Sequence, residues 1–238
     1  KKFLEAKVPE QFPIIKWLPD LYSEMESVII IANEVLDALP VKCFEVHSQD
    51  IKERCVSLTR DGDFVWQLRD PSDSLDAAVD YITVMLDEPL CENYRSEINL
   101  SLHKTLSEWT NCFQQCVLFI IDYGYPRREY YHPQRSMGTL RSYFKHQVSE
   151  DPFANPGLQD ITADVDFSAV AEAASNLNLG VLSFGAQRNF MLANHLLNWQ
   201  PPKNNKIDRI AQIAQLKQLT LGSAIGERFQ VIVLGKGI

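Results

Sequence analysis

Residues 28–37 read Val-Ile-Ile-Ile-Ala-Asn-Glu-Val-Leu-Asp, and this stretch decides the fold. Its first five residues form an unbroken apolar run rich in β-branched side chains. That is the pattern of a strand covered on both faces, as in a parallel sheet. The run breaks on Asn33-Glu34, where such a strand reaches its carboxyl end. Residues 117–121, Val-Leu-Phe-Ile-Ile, repeat the pattern and break on Asp122-Tyr123-Gly124. Residues 179–184 and 229–234 are two further runs, less pure.

Between the first two runs the texture changes. Residues 41–47, 51–59 and 64–68 are short alternating segments, and Asp61-Gly62 is a hairpin-turn dipeptide between the last two. A small antiparallel insertion is expected there. Helical spacing fills the other gaps. Leu75, Ala78, Val79, Ile82 and Leu86 follow Ser72 and Asp73, either of which can cap. Ile98, Leu102, Leu106, Trp109 and Phe113 form a second stripe that leads into the run at 117. Phe167, Val170, Ala174 and Leu177 form a third, with Asp166 or Ser168 as cap and Gly180 at its end. Phe190, Ala193 and Leu197 continue on a helix stopped by Pro201-Pro202. Ile207, Ile210, Ala214 and Leu216 suggest one more helix before the last strand. Strands alternating with helices mean an α/β sheet. Residues 124–157, rich in Pro, Tyr, Arg and His, read as a long loop, and loops of that length in compact domains are usually functional.

Composition sets outer bounds. The 238 residues are 45% apolar, enough for a sizeable core, and carry a formal charge of −8. That charge disfavours a general nucleic-acid binder, which needs a basic face for phosphate. The five cysteines, Cys43, Cys55, Cys91, Cys112 and Cys116, are odd in number and widely spaced. They read as reduced thiols of a cytoplasmic protein rather than as a zinc site or a disulfide framework. No apolar run approaches the roughly 20 residues of a membrane helix. Residue 1 is Lys, and the first 21 residues read like the middle of a longer polypeptide, so truncation is expected.

Open α/β sheets bind ligands beyond the carboxyl ends of their strands, so attention falls on Asn33, Glu34 and Asp37 after one strand and on Asp122, Tyr123 and Gly124 after the next. An acid in such a place often caps the following helix, and both readings stay open for Glu34 and Asp122. His146 with Asp160, Thr162, Asp164 and Asp166 forms a second cluster. It fails as an EF-hand, lacking the sixth-position Gly and a closing Glu. The residues around it can equally be turn and cap residues. No metal is expected.

The ordered strings NEVLDALPV (33–41), YRSEINL (94–100), IIDYGY (120–125), RSMGTL (135–140), PGLQDITADVDF (156–167) and FGAQRNF (184–190) resemble the MidA, or DUF185, family of S-adenosylmethionine-dependent methyltransferases. The resemblance runs from about residue 28 to about 197, and the YYHPQR form is similar to bacterial members. It implies the C-terminal part of a class I methyltransferase, a Rossmann-like sheet of seven strands with the last antiparallel. The runs at 28, 117, 180 and 229 would be its fourth, fifth and closing strands. The implied division is residues 1–40 as the end of the cofactor-binding half, 41–95 as the insertion and 96–238 as the C-terminal half. The mitochondrial members are linked to assembly of respiratory complex I and to protein arginine methylation.

The resemblance implies S-adenosylmethionine as cofactor, with Asp122, Tyr123 and Gly124 beside it. Glu34 would be the principal carboxylate that orients the nucleophile and takes its proton, with Asn33 holding the strand end and Asp37 orienting the turn. Glu97, His146, Asp160, Thr162, Asp164, Asp166 and Gln187 would shape the substrate mouth, although Glu97 also reads as a first-turn helix acid. An arginine nucleophile is cationic at any ordinary pH, so it needs such carboxylates. One departure is serious: the ten glycines form no G-x-G-x-x-G, so weak or no cofactor binding is expected of these residues alone. The expected partner is a protein substrate. The alternative is a non-catalytic assembly factor on the same scaffold. The edge at 28–32 is expected to be covered by residues 1–20, by a retained N-terminal fragment or by a second copy in a homo-oligomer.

Overall fold

A computed structural model describes residues 26–48, 50–145, 147–196, 213–214, 216–217 and 228–238. The first half holds β1 (Ser27–Asn33), β2 (Lys42–His47), β3 (Asp50–Leu58), β4 (Phe64–Arg69), α1 (Asp73–Met85), β5 (Arg95–Ile98), α2 (Leu102–Thr110) and β6 (Gln115–Tyr125). The second holds α3 (Arg127–Tyr130), β7 (Arg141–Phe144), β8 (Gln147–Ser149), β9 (Asp160–Thr162), β10 (Val165–Asp166), α4 (Phe167–Asn176), β11 (Gly180–Ala186), α5 (Gln187–Ala193) and β12 (Phe229–Lys236).

The four apolar runs assemble into one sheet in the order β1-β6-β12-β11, with β10 pairing the far end of β6. β1 and β6 are parallel, Ile30 lying opposite Leu118 and Asn33 opposite Ile121. β12 enters antiparallel between β6 and β11. This is the half-sheet, with its antiparallel member, that the sequence resemblance implies. One face of it carries the main core: Ala32, Leu118, Ile120, Ile232 and Leu234 pack with Leu102 and Leu106 of α2 and Val170 and Ala174 of α4.

The opposite face corrects an expectation. The run at 28–32 reads as a strand covered on both sides, yet Ile29 and Ile31 are 69% and 70% exposed. The helix on that side, α5, packs against β11 and β12, with Phe190 edge-on to Phe119 at 6.2 Å. Among the described residues β1 pairs only with β6, so it forms the edge of the sheet. The proposed cover from residues 1–20, and the helical positions Leu197, Ile207 and Ile210, lie outside the described residues.

The insertion is an antiparallel sheet, β4-β3-β2-β5. Gly62 closes the β3–β4 hairpin at φ +90°, a left-handed conformation that favours glycine. Phe44, Val46 and Ile98 on one face of this sheet pack on Leu75, Val79 and Ile82 of α1. Ile98 therefore does not open the second helical stripe: it ends β5, and Asn99 Oδ1 receives the Ser101 N–H at 2.9 Å before α2 begins. Helical spacing misleads there because Ile98 is buried by α1 across a strand face.

Residues 124–157 are not one long loop. They fold as the end of β6, α3, a 3-10 turn at Pro133–Arg135 and the β7–β8 hairpin, with β9 completing a sheet in the order β8-β7-β9. Tyr130 and Tyr131 are buried and in ring contact, and Arg127 is buried between Asp166 at 3.2 Å and Glu172 at 2.6 Å. Tyr130, Tyr131 and Arg127 in this segment thus mark packing rather than a solvated loop.

Candidate functional site

The site begins where β1 and β6 end side by side. Parallel register puts Asn33 next to Ile121, and the Glu34 N–H bonds the Ile121 carbonyl at 2.9 Å. Glu34 takes φ +50°, which turns the chain sharply out of the strand. Its side chain is exposed, and Asn33 Nδ2 donates to Glu34 Oε1 at 3.3 Å.

Asp122 occupies the inner side of the same rim. It is fully buried, and its Oδ2 accepts the N–H groups of Val35, Leu36 and Asp37 at 3.2, 2.9 and 3.2 Å. Oδ1 accepts the Tyr123 N–H at 2.9 Å. One carboxylate thus gathers the backbone of the turn that follows β1. Burial, with the nearby Asp37 charge, raises its proton affinity to a pKa of about 7, against the pull of those N–H donors.

Asp37 is buried, and its backbone carbonyl receives the Ala163 N–H at 3.0 Å. Its Oδ1 is buried with no hydrogen-bond partner among the described residues. Burial first, then the Glu34 carboxylate, pushes its pKa above the ordinary range, and Asp164 adds to this. Glu34 and Asp164 thus both act on Asp37, while Arg135, Arg141 and Arg228 counter the Asp164 charge. The Tyr123 ring lies on Phe229 at 4.1 Å, and its hydroxyl is pushed up to about 12 by burial and by Glu34. Gly124 sits against β10, where a Cβ would meet the Val165 backbone, its nitrogen at 2.7 Å. The side chains expected beside the cofactor are thus engaged within the chain, Asp122 by backbone and Tyr123 by Phe229.

A second, deeper cluster centres on Glu97. It lies in β5, buried, and Oε1 accepts the Thr139 N–H at 2.6 Å, the Thr139 hydroxyl and the Tyr130 hydroxyl at 3.1 Å. It is not a first-turn helix acid, because β5 continues through Ile98. Burial raises its pKa, and the Thr139 and Tyr130 bonds oppose that. Gly138, at φ +74°, brings the Thr139 N–H onto the carboxylate; a Cβ there would run into Glu97 Oε2. Thr139 Oγ1 also accepts the Asp164 N–H at 2.9 Å, which ties this cluster to the strand-end group.

The remaining expected residues divide. Asp166 caps α4 through the Ser168 and Ala169 N–H groups, and burial raises its pKa against the Arg127 charge. Thr162 lies in β9 opposite Arg141, and Asp160 is exposed opposite Tyr143. Gln187 begins α5 and is buried, its Oε1 unpartnered among the described residues, two strands away from Asp122 at the same end of the sheet. His146 lies outside the described residues. Sequence reading passed over Thr139, although it stands inside the RSMGTL string, and over Arg135, Arg141 and Arg228, whose charges act on Asp164. Nothing in their spacing marks them.

A half-sheet in this order, with acids at adjacent carboxyl ends and an antiparallel penultimate strand, is that of a class I methyltransferase fold. Residues 1–185 match the family model described as "Putative S-adenosyl-L-methionine-dependent methyltransferase", and the chain belongs to that family. All of it superposes on a native crystal structure of a COG1565 superfamily protein from Burkholderia thailandensis, at 31% identity and a TM-score of 0.85. A second structure from that organism, a COG1565 superfamily member bound to S-adenosyl-homocysteine, gives 31% identity and a TM-score of 0.84. Over 141 residues, 58% of this chain, it is 28% identical to the "Protein arginine methyltransferase NDUFAF7 homolog, mitochondrial" of Caenorhabditis elegans. The chain spans 62% and 60% of the two solved proteins and 31% of the curated relative.

Proposed function

We propose that the whole protein transfers a methyl group from S-adenosylmethionine to a protein side chain, an arginine, and that this chain supplies its substrate-facing wall. The observation that carries the reading is the acidic rim. Glu34 is exposed beside Asn33, and Asp37 keeps a buried carboxylate oxygen without a partner. The name of the arginine-methylating relative and the S-adenosyl-homocysteine bound to the solved relative support the substrate and the cofactor.

The residues fit the cofactor only in part. The sequence holds no G-x-G-x-x-G, so what this chain offers is the rim of β1 and β6. When bound, S-adenosylmethionine supplies an electrophilic methyl on a sulfonium. The nitrogen–carbon bond forms as the carbon–sulfur bond breaks, and the nitrogen must lose a proton. Glu34 orients the guanidinium and takes that proton, while Asn33 fixes its carboxylate. Asp37 adds a second negative charge, and Asp122 positions both by holding the turn between them. Alignment and charge placement of this kind carry most of the acceleration in such a displacement.

The test uses the complete gene product, labelled S-adenosylmethionine and arginine-containing peptides. Glu34→Gln should lower kcat by about 100-fold or more with an unchanged melting temperature. Absence of methyl incorporation by the parent, or an unaltered kcat in the variant, refutes the proposal.

A further inference from the structure

The inserted sheet has a second face. Register places Arg54 beside Leu68, Val56 beside Trp66 and Leu58 beside Phe64, all on the side away from α1. Polar and charged groups would be normal on the outer face of a half-buried antiparallel sheet. Here Val56, Leu58 and Phe64 are 51%, 60% and 43% exposed. Phe153, from the segment after β8, leans on Trp66 at 5.1 Å and on Phe64 at 6.0 Å. Arg54 lies over the Trp66 ring at 4.4 Å and is held by Glu45 at 3.7 Å.

Between this face, the turn after β1 and the β7–β9 sheet lies a cleft of about 310 Å³. Val56, Trp66, Leu140, Phe153 and Ile161 line it, and among the described residues Asp37 is the sole carboxylate on its wall. The cleft is apolar, open to the exposed sheet face, and small enough for a side chain or two. A buried carboxylate oxygen without a partner is costly unless a donor reaches it. Glu34 and Asp164 add negative charge around Asp37, and its Oδ1 is left open although the Asp37 and Ala38 N–H groups act on the carboxylate, so a cationic donor suits this oxygen better than a neutral one.

We infer that this cleft binds an extended segment of a partner protein, with one cationic side chain reaching Asp37 along Val56 and Trp66 and apolar neighbours resting on Val56, Leu58 and Phe64. The inference rests on the methyl-transfer reading for its biological use, but the binding it describes does not. The insertion would then read the sequence around the target residue. A nucleic acid or an anionic membrane would meet the wrong charge at Asp37.

The experiment is calorimetric titration of the complete gene product, without cofactor, using three capped pentapeptides. The first is acetyl-Ala-Leu-Arg-Val-Ala-amide. The second carries citrulline, a neutral isostere, in place of arginine. The third carries Ser in place of both Leu and Val. Each change should weaken binding by about tenfold or more. Asp37→Asn should abolish the preference for arginine over citrulline. Val56→Ser, a partly exposed position that folding tolerates, should weaken the first peptide but not the third. Equal affinity for all three peptides, or unchanged affinities in a folded Val56→Ser protein, overturns the inference. If the peptide pattern holds but no methyl is ever transferred, the cleft stands and the methyl-transfer reading falls. If methyl is transferred while Val56→Ser leaves KM and affinity unchanged, the reading stands and the cleft falls.

Discussion

Asp122→Asn is the substitution that most directly probes how the rim is held. In the parent, one carboxylate accepts four backbone N–H groups: three converge on Oδ2 and one reaches Oδ1. An asparagine keeps one acceptor oxygen and puts an NH2 group opposite an N–H donor, whichever way it is turned. One buried donor loses its partner, which costs about 1–3 kcal/mol. For a domain of this size, about 2 kcal/mol lowers the melting temperature by about 4–8 °C. The pH dependence adds a signature. The carboxyl titrates at 3.8 when unperturbed and about 7 when folded. A raised folded value means stability that is fully present below about pH 4 and is lost as pH rises through 7. The parent should therefore lose up to about 4 kcal/mol from this group across that window, and the asparagine variant none of it. Glu97, Asp164 and Asp166 titrate in both proteins and cancel in the difference, whereas Asp37, whose charge acts on Asp122, is part of the effect. Urea denaturation of both proteins at pH 5, 6, 7 and 8 reads the effect. The deficit of the variant should be largest at pH 5 and shrink towards pH 8. Parallel stability curves would show that folding does not raise the proton affinity of Asp122, and no deficit at pH 5 would show that its side chain does not hold the turn.

Two further outcomes follow from the same geometry. Arg127→Met leaves Asp166, buried at the head of α4, without its countercharge, and should cost about 3–5 kcal/mol in urea denaturation; a loss under about 1 kcal/mol would mean the pair is not desolvated. Glu34→Gly should raise stability by about 1 kcal/mol, since glycine takes the left-handed conformation without strain, while methyl transfer is lost; a destabilised or active variant contradicts the role given to this residue.

The sheet was legible because parallel strands announce themselves. The apolar runs at 28 and 117 marked two neighbouring strands, although one face of the first is open, with Ile29 and Ile31 exposed, and their order with 180 and 229 left few topologies open. The hairpin at Gly62 and the Asp166 cap were legible for local reasons: each rests on chemistry within three or four residues. The failures share a different cause. Ile98 fits a helical stripe by spacing, but it is buried from across a strand by α1. Residues 124–157 look like a loop because Pro, Tyr and Arg are frequent in loops. Here Tyr130 and Tyr131 join a second core and Arg127 is buried, and that depends on Glu97 and Asp166 arriving from distant parts of the chain.

The two strand-end acids show where a sequence stops being informative. Glu34 and Asp122 each follow an apolar run and read alike. In a strand flanked by helices on both sides, alternation gives no sign of which residue faces in, since both faces are apolar. The distinction comes from pairing. Asp122 shares its face with Leu118 and Ile120, is carried into the core side, and there becomes the acceptor for the turn that leaves the neighbouring strand. Glu34 is the first residue of that turn, and the hydrogen bond from its own N–H to Ile121 fixes it at φ +50° with its side chain outward. One acid is consumed in building the rim, and that arrangement presents the other. A non-glycine residue is held in a conformation that glycine would take more cheaply, and at this strand end that supports the use proposed for its side chain.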